Sequence, residues 1–384
     1  MSPGAKMECL ESVYLRYKKA SRKDKTLILN EFCATCGYHR KHAIRLFKRY
    51  KRFTKPRPKR RGAPSIYNKP SIMEPLKRIW LAANLPCSKR LKVIIDLWMP
   101  GYVKEYGALS LDVAKALYKI SPPTIDRILK PLRAKYRSKG RCTTKPGTLL
   151  RKQIPIKTNQ WDESRPGFVE ADTVAHCGGS IEGDYAYTVD LVDIATGWTE
   201  QGASWGKGEI GVLAALKDME ASMPFAILGF DADNGGEFIN YHLLRHFADR
   251  VKPVQFTRSR PYHKDDNAHV EQKNWTHVRQ WFGYHRLDNH NVVNMMNELY
   301  RSQWRLYHNF FQPSTKLIEK KIIASKTLKR YDRPKTPYER ILESKHVDSS
   351  VKRSLKEQFD TLNPFQLRKA IDTKIKRIFD YLNR

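Results

Sequence analysis

The order of strand-like and helix-like segments in the middle of this 384-residue chain limits its fold more than any other feature. Strand character is found in five segments, at 167–174, 185–193, 198–203, 225–230 and 253–257. The first three follow one another with short turns, which predicts an antiparallel meander. Segments with helical spacing then come before and after the fourth strand, and another follows the fifth. This order predicts an α/β domain with a mixed five-stranded sheet, in which the first and fourth strands can be neighbours.

The charge of the chain changes sign at this domain. The formal net charge is +33, and residues 1–164 contribute 39 basic and 11 acidic residues. Residues 165–250 have 5 basic and 14 acidic residues, whereas residues 251–384 have 28 and 14. A chain this basic is expected to bind a polyanion, with nucleic acid the first candidate. An acidic segment inside such a protein would repel its ligand, so we expect divalent cations there.

Composition also excludes several classes of protein. The chain has no run of about 18 apolar residues, which argues against a membrane-spanning helix. The first 30 residues lack the apolar stretch of a signal peptide. Six cysteines without regular spacing do not predict a disulfide framework, so a reduced, intracellular protein without membrane contact is expected.

The N-terminal third predicts a helix, a turn at Gly37 and a second helix between Asp24 and Lys51. Twelve Lys and Arg residues and no acid lie between Arg40 and Arg61. A solvated helix face with a basic tail is the alternative, but this density of charge favours contact with a DNA backbone. The candidate phosphate contacts are Arg40, Lys41, Arg45, Lys48, Arg49, Arg60 and Arg61.

A second helix-turn-helix is predicted between Leu109 and Tyr136, with Arg127 and Lys130 on its outer face as candidate DNA contacts. Any two-helix hairpin would give the same apolar pattern. The pairs Cys33, Cys36 and His39, His42 suggest zinc, but only two residues separate the pairs, so packing and surface roles are favoured.

Three carboxylates stand at the ends of predicted elements in the acidic segment. Asp172 lies on the first strand, Asp233 follows the fourth, and Glu271 lies on the helix after the fifth. Each alone is commonly a capping residue. Together they would repel one another unless cations lay between them, which predicts a site for two Mg²⁺ or Mn²⁺ ions.

Other residues of this segment have competing interpretations. Asp231 is the main rival of Asp233, Asp190 and Asp193 are weaker rivals, and Glu237 is expected to cap the next helix. Asn274 shares the helix face of Glu271 at a spacing of three. Lys264, Lys273 and Arg279 are candidate DNA contacts, with plain surface placement as the alternative.

These motifs resemble the retroviral-integrase-type DDE recombinases, and most closely the bacterial insertion-sequence transposases. The resemblance covers roughly residues 160–310 and rests on Asp172-Thr173, on the run Asp233-Asn-Gly-Gly-Glu-Phe238, and on Glu271 after 37 intervening residues. It implies an RNase H-like core in which Asp172, Asp233 and Glu271 bind metal. Ala268 stands where the family usually has a glycine, and the zinc-binding His-His-Cys-Cys module of retroviral integrases is missing.

The sequence therefore predicts a multidomain transposase. The expected regions are an all-α helix-turn-helix domain at 1–62, a second at 63–145, the catalytic core at 160–310 and a helical or irregular basic C-terminal region at 311–384. Its partners would be double-stranded DNA and further copies of itself on that DNA, in the bacterial cytoplasm at the nucleoid. A metal-dependent nuclease without joining activity and a catalytically silent DNA-binding regulator are the alternatives.

Overall fold

The structure, a computed structural model, describes residues 1–53, 65–136, 164–232, 235–258, 268–323 and 326–383. The chain divides into two compact units, Met1–Ser65 and Ile66–Arg384. This division lies close to the predicted boundary at residue 62. The predicted second helical region, core and C-terminal region all lie in the second unit. In the described ranges, no helix is long and apolar enough to cross a membrane.

The first unit contains three helices among its described residues, α1 (Pro3–Lys19), α2 (Arg22–Cys36) and α3 (Arg40–Phe53). Gly37, with φ of +67°, ends α2 in the left-handed conformation that glycine adopts most easily. The turn before α3 is therefore only three residues long, as the sequence predicts. The helices share a core formed by Leu10, Tyr14, Leu29, Phe32, Cys36, Ala43 and Phe47.

The second unit begins with further helices, and their bounds are α4 (Pro70–Ala82), α5 (Ser88–Tyr106), α6 (Leu111–Lys119) and α7 (Pro122–Arg133). Short 3-10 turns lie at Ile66–Asn68 and Ala134–Tyr136. Helices α6 and α7 are joined by two residues, and Leu117, Ile125 and Leu129 are buried between them and α5. Two helices with a short turn between them therefore lie where a second helix-turn-helix was predicted.

The sheet has five strands within the described residues, namely β1 (Phe168–Ala175), β2 (Ala186–Asp193), β3 (Thr199–Trp205), β4 (Gly229–Ala232) and β5 (Gln255–Arg258). Their order is β3-β2-β1-β4-β5. Strands β1, β2 and β3 are antiparallel, whereas β4 is parallel to β1 and β5 is parallel to β4. The predicted mixed sheet, with its first and fourth strands adjacent, is confirmed.

Strand β4 is shorter than the apolar run 225–230 predicts. Pairing starts at Phe168 and Gly229, because β1 itself begins at Phe168. Before that point the N–H groups of Leu228 and Gly229 both donate to the Gly167 carbonyl, at 2.7 and 3.2 Å. Residues 225–227 therefore precede the paired strand, and of these three only Ile227 is buried.

Helices cover both faces of the sheet. Helices α8 (Glu209–Ser222) and α9 (Tyr241–Ala248) pack on one face. On the other face, α10 (Ala268–Lys273) continues as a π-helix, Asn274–Arg279, into the short α11 (Gln280–Phe282). A long helical stretch follows, made of α12 (His290–Leu299), a π-helical segment Tyr300–Trp304 and α13 (Arg305–Phe311).

The C-terminal part is more regular than the sequence predicts. A two-stranded ribbon, β6 (Leu317–Ile323) and β7 (Lys326–Tyr331), precedes helices α14 (Pro337–Glu343), α15 (Ser349–Thr361) and α16 (Pro364–Leu382). The basic segment 329–338 is thus the end of a strand and the start of a helix. Helix α16 packs against α12 and α5, which joins both ends of this unit to the core.

Candidate active site

The two faces of the sheet differ in chemistry because alternate residues of a strand point to opposite sides. On one face Val169, Ala171, Val189 and Phe230 belong to the apolar cluster under α8 and α9. The register places Asp172 opposite Asp190 and Glu170 beside Asp231, so four acidic side chains share the other face. This concentration of carboxylates lies under α10 and the π-helix.

Asp172 is half-buried and directly contacts the helix that carries Glu271. Its Oδ2 accepts a hydrogen bond of 2.6 Å from Asn274 Nδ2, and its Oδ1 accepts one of 2.7 Å from the N–H of Thr173. The sequence places Asn274 on the same helix face as Glu271. The amide therefore fixes one oxygen of Asp172 and ties β1 to the helix at the same time.

Glu170 makes a second connection, which the sequence analysis missed. Its side chain is 1% exposed, and its Oε2 accepts hydrogen bonds from the N–H groups of His269 and Val270, at 3.1 and 3.2 Å. A carboxylate at this place satisfies first-turn donors and stabilises the positive end of the helix dipole. The sequence feature that could have indicated this role is the spacing of two between Glu170 and Asp172, which puts both acids on one face of β1.

Glu271 lies between these two attachment points. It is exposed, and within the described part of the chain it forms no ion pair. Residues three apart on a helix have Cβ atoms about 5–6 Å from each other, so Glu271 is a near neighbour of Asn274. Asn274 in turn contacts Asp172. The helix that carries Glu271 is thus attached to the strand that carries Asp172.

Asp233 lies outside the described residues. The residue before it, Ala232, pairs with Ala171, the residue before Asp172. In the ranges that the structure describes, no group of three or more His, Cys, Asp or Glu side chains is placed to hold a metal ion.

Lys273 is not where the sequence analysis expected it. It is 6% exposed and lies in the interior, where its Nζ is 3.4 Å from His277 Nε2, so it is not a surface contact for DNA. Burial lowers the pKa of its ammonium group, and the charge of Asp190 acts in the opposite direction. Asp190 accepts a hydrogen bond of 2.7 Å from Gln201 Nε2, and burial raises the pKa of its carboxyl group.

The rival acids have structural partners. Asp231 is fully buried, and its Oδ1 accepts a hydrogen bond of 2.6 Å from Thr257 on β5. Asp193 closes the turn between β2 and β3, accepting from the N–H groups of Gly167 and Thr196, each at 2.7 Å. Burial raises the pKa of Asp193 to about 6, although these hydrogen bonds oppose the shift.

Glu237 does not cap α9, contrary to expectation. Asn240 is the N-cap, and its Oδ1 accepts from the N–H of Leu243 at 2.8 Å. The Glu237 carboxylate instead accepts from Thr173 Oγ1 at 2.8 Å and from Lys207 Nζ at 2.9 Å. Because Thr173 follows Asp172, this contact fixes the segment after β4 against the end of β1.

The predicted DNA contacts fall into three groups. Arg40, Lys41, Arg45 and Lys48 are exposed on α3, with Arg40 donating to Asn30, and Arg127 and Lys130 are exposed on α7. Arg279 is half-buried, donates to the Ala175 carbonyl at 2.7 Å and lies over the ring of Tyr284. Arg49 lies on α3, whereas Arg60, Arg61 and Lys264 lie outside the described residues.

The remaining sequence interpretations concern cysteine. Cys9, Cys33, Cys36, Cys87 and Cys177, the cysteines within the described ranges, have free thiols. Cys36 is buried in the core of the first unit, and burial, together with a hydrogen bond to Cys9, raises the pKa of its thiol. Its neighbours Tyr38 and His42 have ring centroids 4.8 Å apart.

Comparison with solved structures finds retroviral integrases among the similar proteins. The chain is similar to the catalytic core domain of BIV integrase, at 14% identity, with 47% of this chain and 96% of that chain covered and a TM-score of 0.29. It is also similar to a chain of the simian T-cell lymphotropic virus intasome in complex with PP2A regulatory subunit B56 gamma, at 12% identity, with 55% and 68% covered and a TM-score of 0.29.

Among curated proteins, the chain is similar to the uncharacterized protein y4rM of Sinorhizobium fredii. The two are 37% identical over 343 residues, which is 88% of this chain and 96% of that protein. The chain therefore belongs to the same family as y4rM. No protein-family model matches it.

Proposed function

We propose that this protein is a transposase or integrase-type enzyme that binds the ends of a DNA element and catalyses phosphodiester hydrolysis and strand transfer into target DNA. The observation that carries the proposal is the double attachment of α10 to β1. Glu170 binds the start of the helix, Asn274 binds Asp172, and Glu271 lies between the two contacts. Asp233 directly follows Ala232 of β4, which pairs with Ala171, the residue before Asp172. This position supports Asp233 as the third acid.

Carboxylates of this kind suit Mg²⁺ or Mn²⁺. Both ions prefer oxygen ligands, and the half-buried Asp172 and the exposed Glu271 would supply them. We infer that Asp172, Asp233 and Glu271 would hold two such ions. When bound, the ions supply activation of the attacking oxygen and stabilisation of the leaving oxygen. Asn274 orients Asp172, and Glu170 sets the position of the helix that presents Glu271.

DNA binding would fall to the basic helices. Exposed Arg40, Lys41, Arg45 and Lys48 give α3 a basic surface, and Arg127 and Lys130 do the same for α7. Phosphate contacts position a protein on duplex DNA without reading its sequence. Both helices follow a short turn after another helix, which suits a helix-turn-helix reader. Because two element ends must be joined, assembly into at least a dimer on DNA is expected, at the bacterial nucleoid.

The experiment is a strand-transfer assay. Labelled duplexes with the terminal sequences of the element that encodes the protein are incubated with a supercoiled target plasmid and Mg²⁺ or Mn²⁺. The wild-type protein, Asp233→Ala and Glu271→Gln are compared with the matched variant Glu182→Gln, whose side chain is exposed and remote in sequence from these acids. Joined products that only the two site variants lose would support the proposal. Cleavage without joining would favour a nuclease, and retarded DNA without cleavage would favour a regulator.

A further inference from the structure

Among the described residues, the contacts that fix the ribbon of β6 and β7 to the core lie at its base. Lys316 and Asp332 exchange hydrogen bonds, from Lys316 N–H to Asp332 Oδ1 at 2.6 Å and from Asp332 N–H to the Lys316 carbonyl at 2.9 Å. The Lys316 ammonium donates to the carbonyls of Ile194 and Ala195 in the β2–β3 turn. Arg340 binds the second oxygen of Asp332 at 2.7 Å. The ribbon is therefore held in a defined direction.

Beyond this base the two strands contact chiefly each other. Leu317, Ile318, Leu328 and Tyr331 are 47%, 59%, 54% and 49% exposed. An isolated two-stranded hairpin is marginally stable in water, and its edges offer unpaired backbone groups. Exposed apolar side chains grouped on such an element indicate a binding surface.

The charge of the ribbon indicates what it binds. Residues 316–335 have eight basic and two acidic residues, and both acids are paired, Glu319 with Lys321 and Asp332 with Arg340. Lys329, Arg330 and Arg333 are exposed. On β7, Arg330 shares a face with Leu328, whereas Lys329 shares the opposite face with Tyr331. Both faces therefore combine a basic and an apolar side chain.

We propose that the β6–β7 ribbon inserts into the major groove of duplex DNA. The groove is wide enough to admit a two-stranded ribbon. A ribbon between two sugar-phosphate backbones meets phosphates on both sides, which suits basic residues on both of its faces. Its aliphatic side chains would contact base edges, such as the methyl group of thymine. A second copy of the chain that pairs with an open ribbon edge is the competing occupant. The inference rests on the proposed function only in its choice of DNA as ligand.

Charge reversal tests this inference. Fluorescence anisotropy gives the dissociation constant of the full-length protein for a labelled 30-base-pair duplex at several salt concentrations. The variant is Lys329→Glu with Arg330→Glu. The matched control, Arg353→Glu with Lys356→Glu, makes the same change of net charge at exposed residues of α15. Loss of two phosphate contacts reduces the slope of log K against log salt by about two. We expect that loss in the ribbon variant and not in the control, with unchanged melting temperatures.

The possible outcomes separate the two proposals. Equal effects in both double variants, or a ribbon variant with the wild-type slope, would overturn the ribbon inference and leave the proposed enzyme intact. The inference would also fail if the ribbon variant lost self-association in sedimentation without change in its DNA slope. A specific slope loss in the ribbon variant, together with normal strand transfer by Asp233→Ala, would support the ribbon and refute the proposed active site.

Discussion

The carboxylate of Glu170 is predicted to hold the Glu271 helix in place, which a pair of substitutions can test. Glu170→Ala removes an acceptor from the N–H groups of His269 and Val270, and Val270 is fully buried. Hydrogen bonds to charged groups contribute about 1.5–3 kcal/mol each, so we expect a loss of about 3 kcal/mol in the free energy of unfolding. Glu170→Gln keeps a neutral acceptor and should lose about half as much, because charge-assisted bonds are roughly twice as strong as neutral ones.

Urea unfolding measures these losses, and amide hydrogen exchange locates them. The N–H groups of His269 and Val270 should exchange faster in Glu170→Ala, with a smaller increase in Glu170→Gln. Glu182→Ala is the control, since its side chain is exposed, and surface changes of this kind stay within about 0.5 kcal/mol. Unchanged exchange at His269 and Val270 in folded Glu170→Ala would refute the assigned role.

Two further predictions concern stability. Burial lowers the pKa of His176 to about 3, with a smaller contribution from Arg279, whereas the unfolded imidazole binds its proton near pH 6.5. The contribution of His176 to the free energy of unfolding is therefore complete above pH 6.5 and decreases as the pH is lowered. At pH 5 the loss from His176 alone is about 2 kcal/mol. Burial also lowers the pKa of His277 and His308, so these two side chains act in the same direction. Urea midpoints at pH 7.5 and 5 check this; a His176→Gln variant with an equally steep dependence would contradict it. Gly101→Ala would place a Cβ 2.9 Å from Pro364 Cδ, so we expect a loss of about 1–3 kcal/mol in urea unfolding, against no loss in Gly179→Ala, whose added Cβ meets no described atom within 4 Å. Equal midpoints for the two glycine variants would show that α5 and α16 can separate at no cost.

The sequence predicted local structure well where apolar periodicity was strong. The five strands along the chain, the adjacency of the first and fourth strands and the two helices α6 and α7 with a short turn between them all follow from spacing and turn residues. Contacts between distant residues escaped prediction. Lys273 is buried where the charge of Asp190, 83 positions earlier, acts on its pKa, and the contact of Glu170 with α10 spans about 100 positions. In the ribbon, dense Lys and Arg residues hide the alternation of apolar and polar residues typical of a strand, so the sequence did not predict β6 and β7.

The acidic segment also has a different physical meaning in the structure. Its net negative charge suggested cations, but several of its acids are hydrogen-bonded or ion-paired within the protein. Glu200 is buried against Arg305 at 2.8 Å and Trp198, Asp231 binds Thr257, and Asp193 closes a turn. A sum of charges cannot separate such acids from metal ligands, because both kinds count equally.

Solvent accessibility and position in the fold distinguish the buried structural acids from the candidate metal ligands. On the polar face of the sheet, Glu170, Asp190 and Asp231 are buried and Asp172 is half-buried. Glu271, which lies on α10 itself, is exposed. A buried carboxylate needs hydrogen-bond donors from the protein, whereas a carboxylate that solvent can reach is able to bind a cation from solution. The internal acids therefore build the support on which Asp172 and Glu271 are presented. We therefore expect substitution of the buried acids to reduce folding stability first. For the proposed enzyme, substitution of Asp172 or Glu271 should first reduce strand transfer.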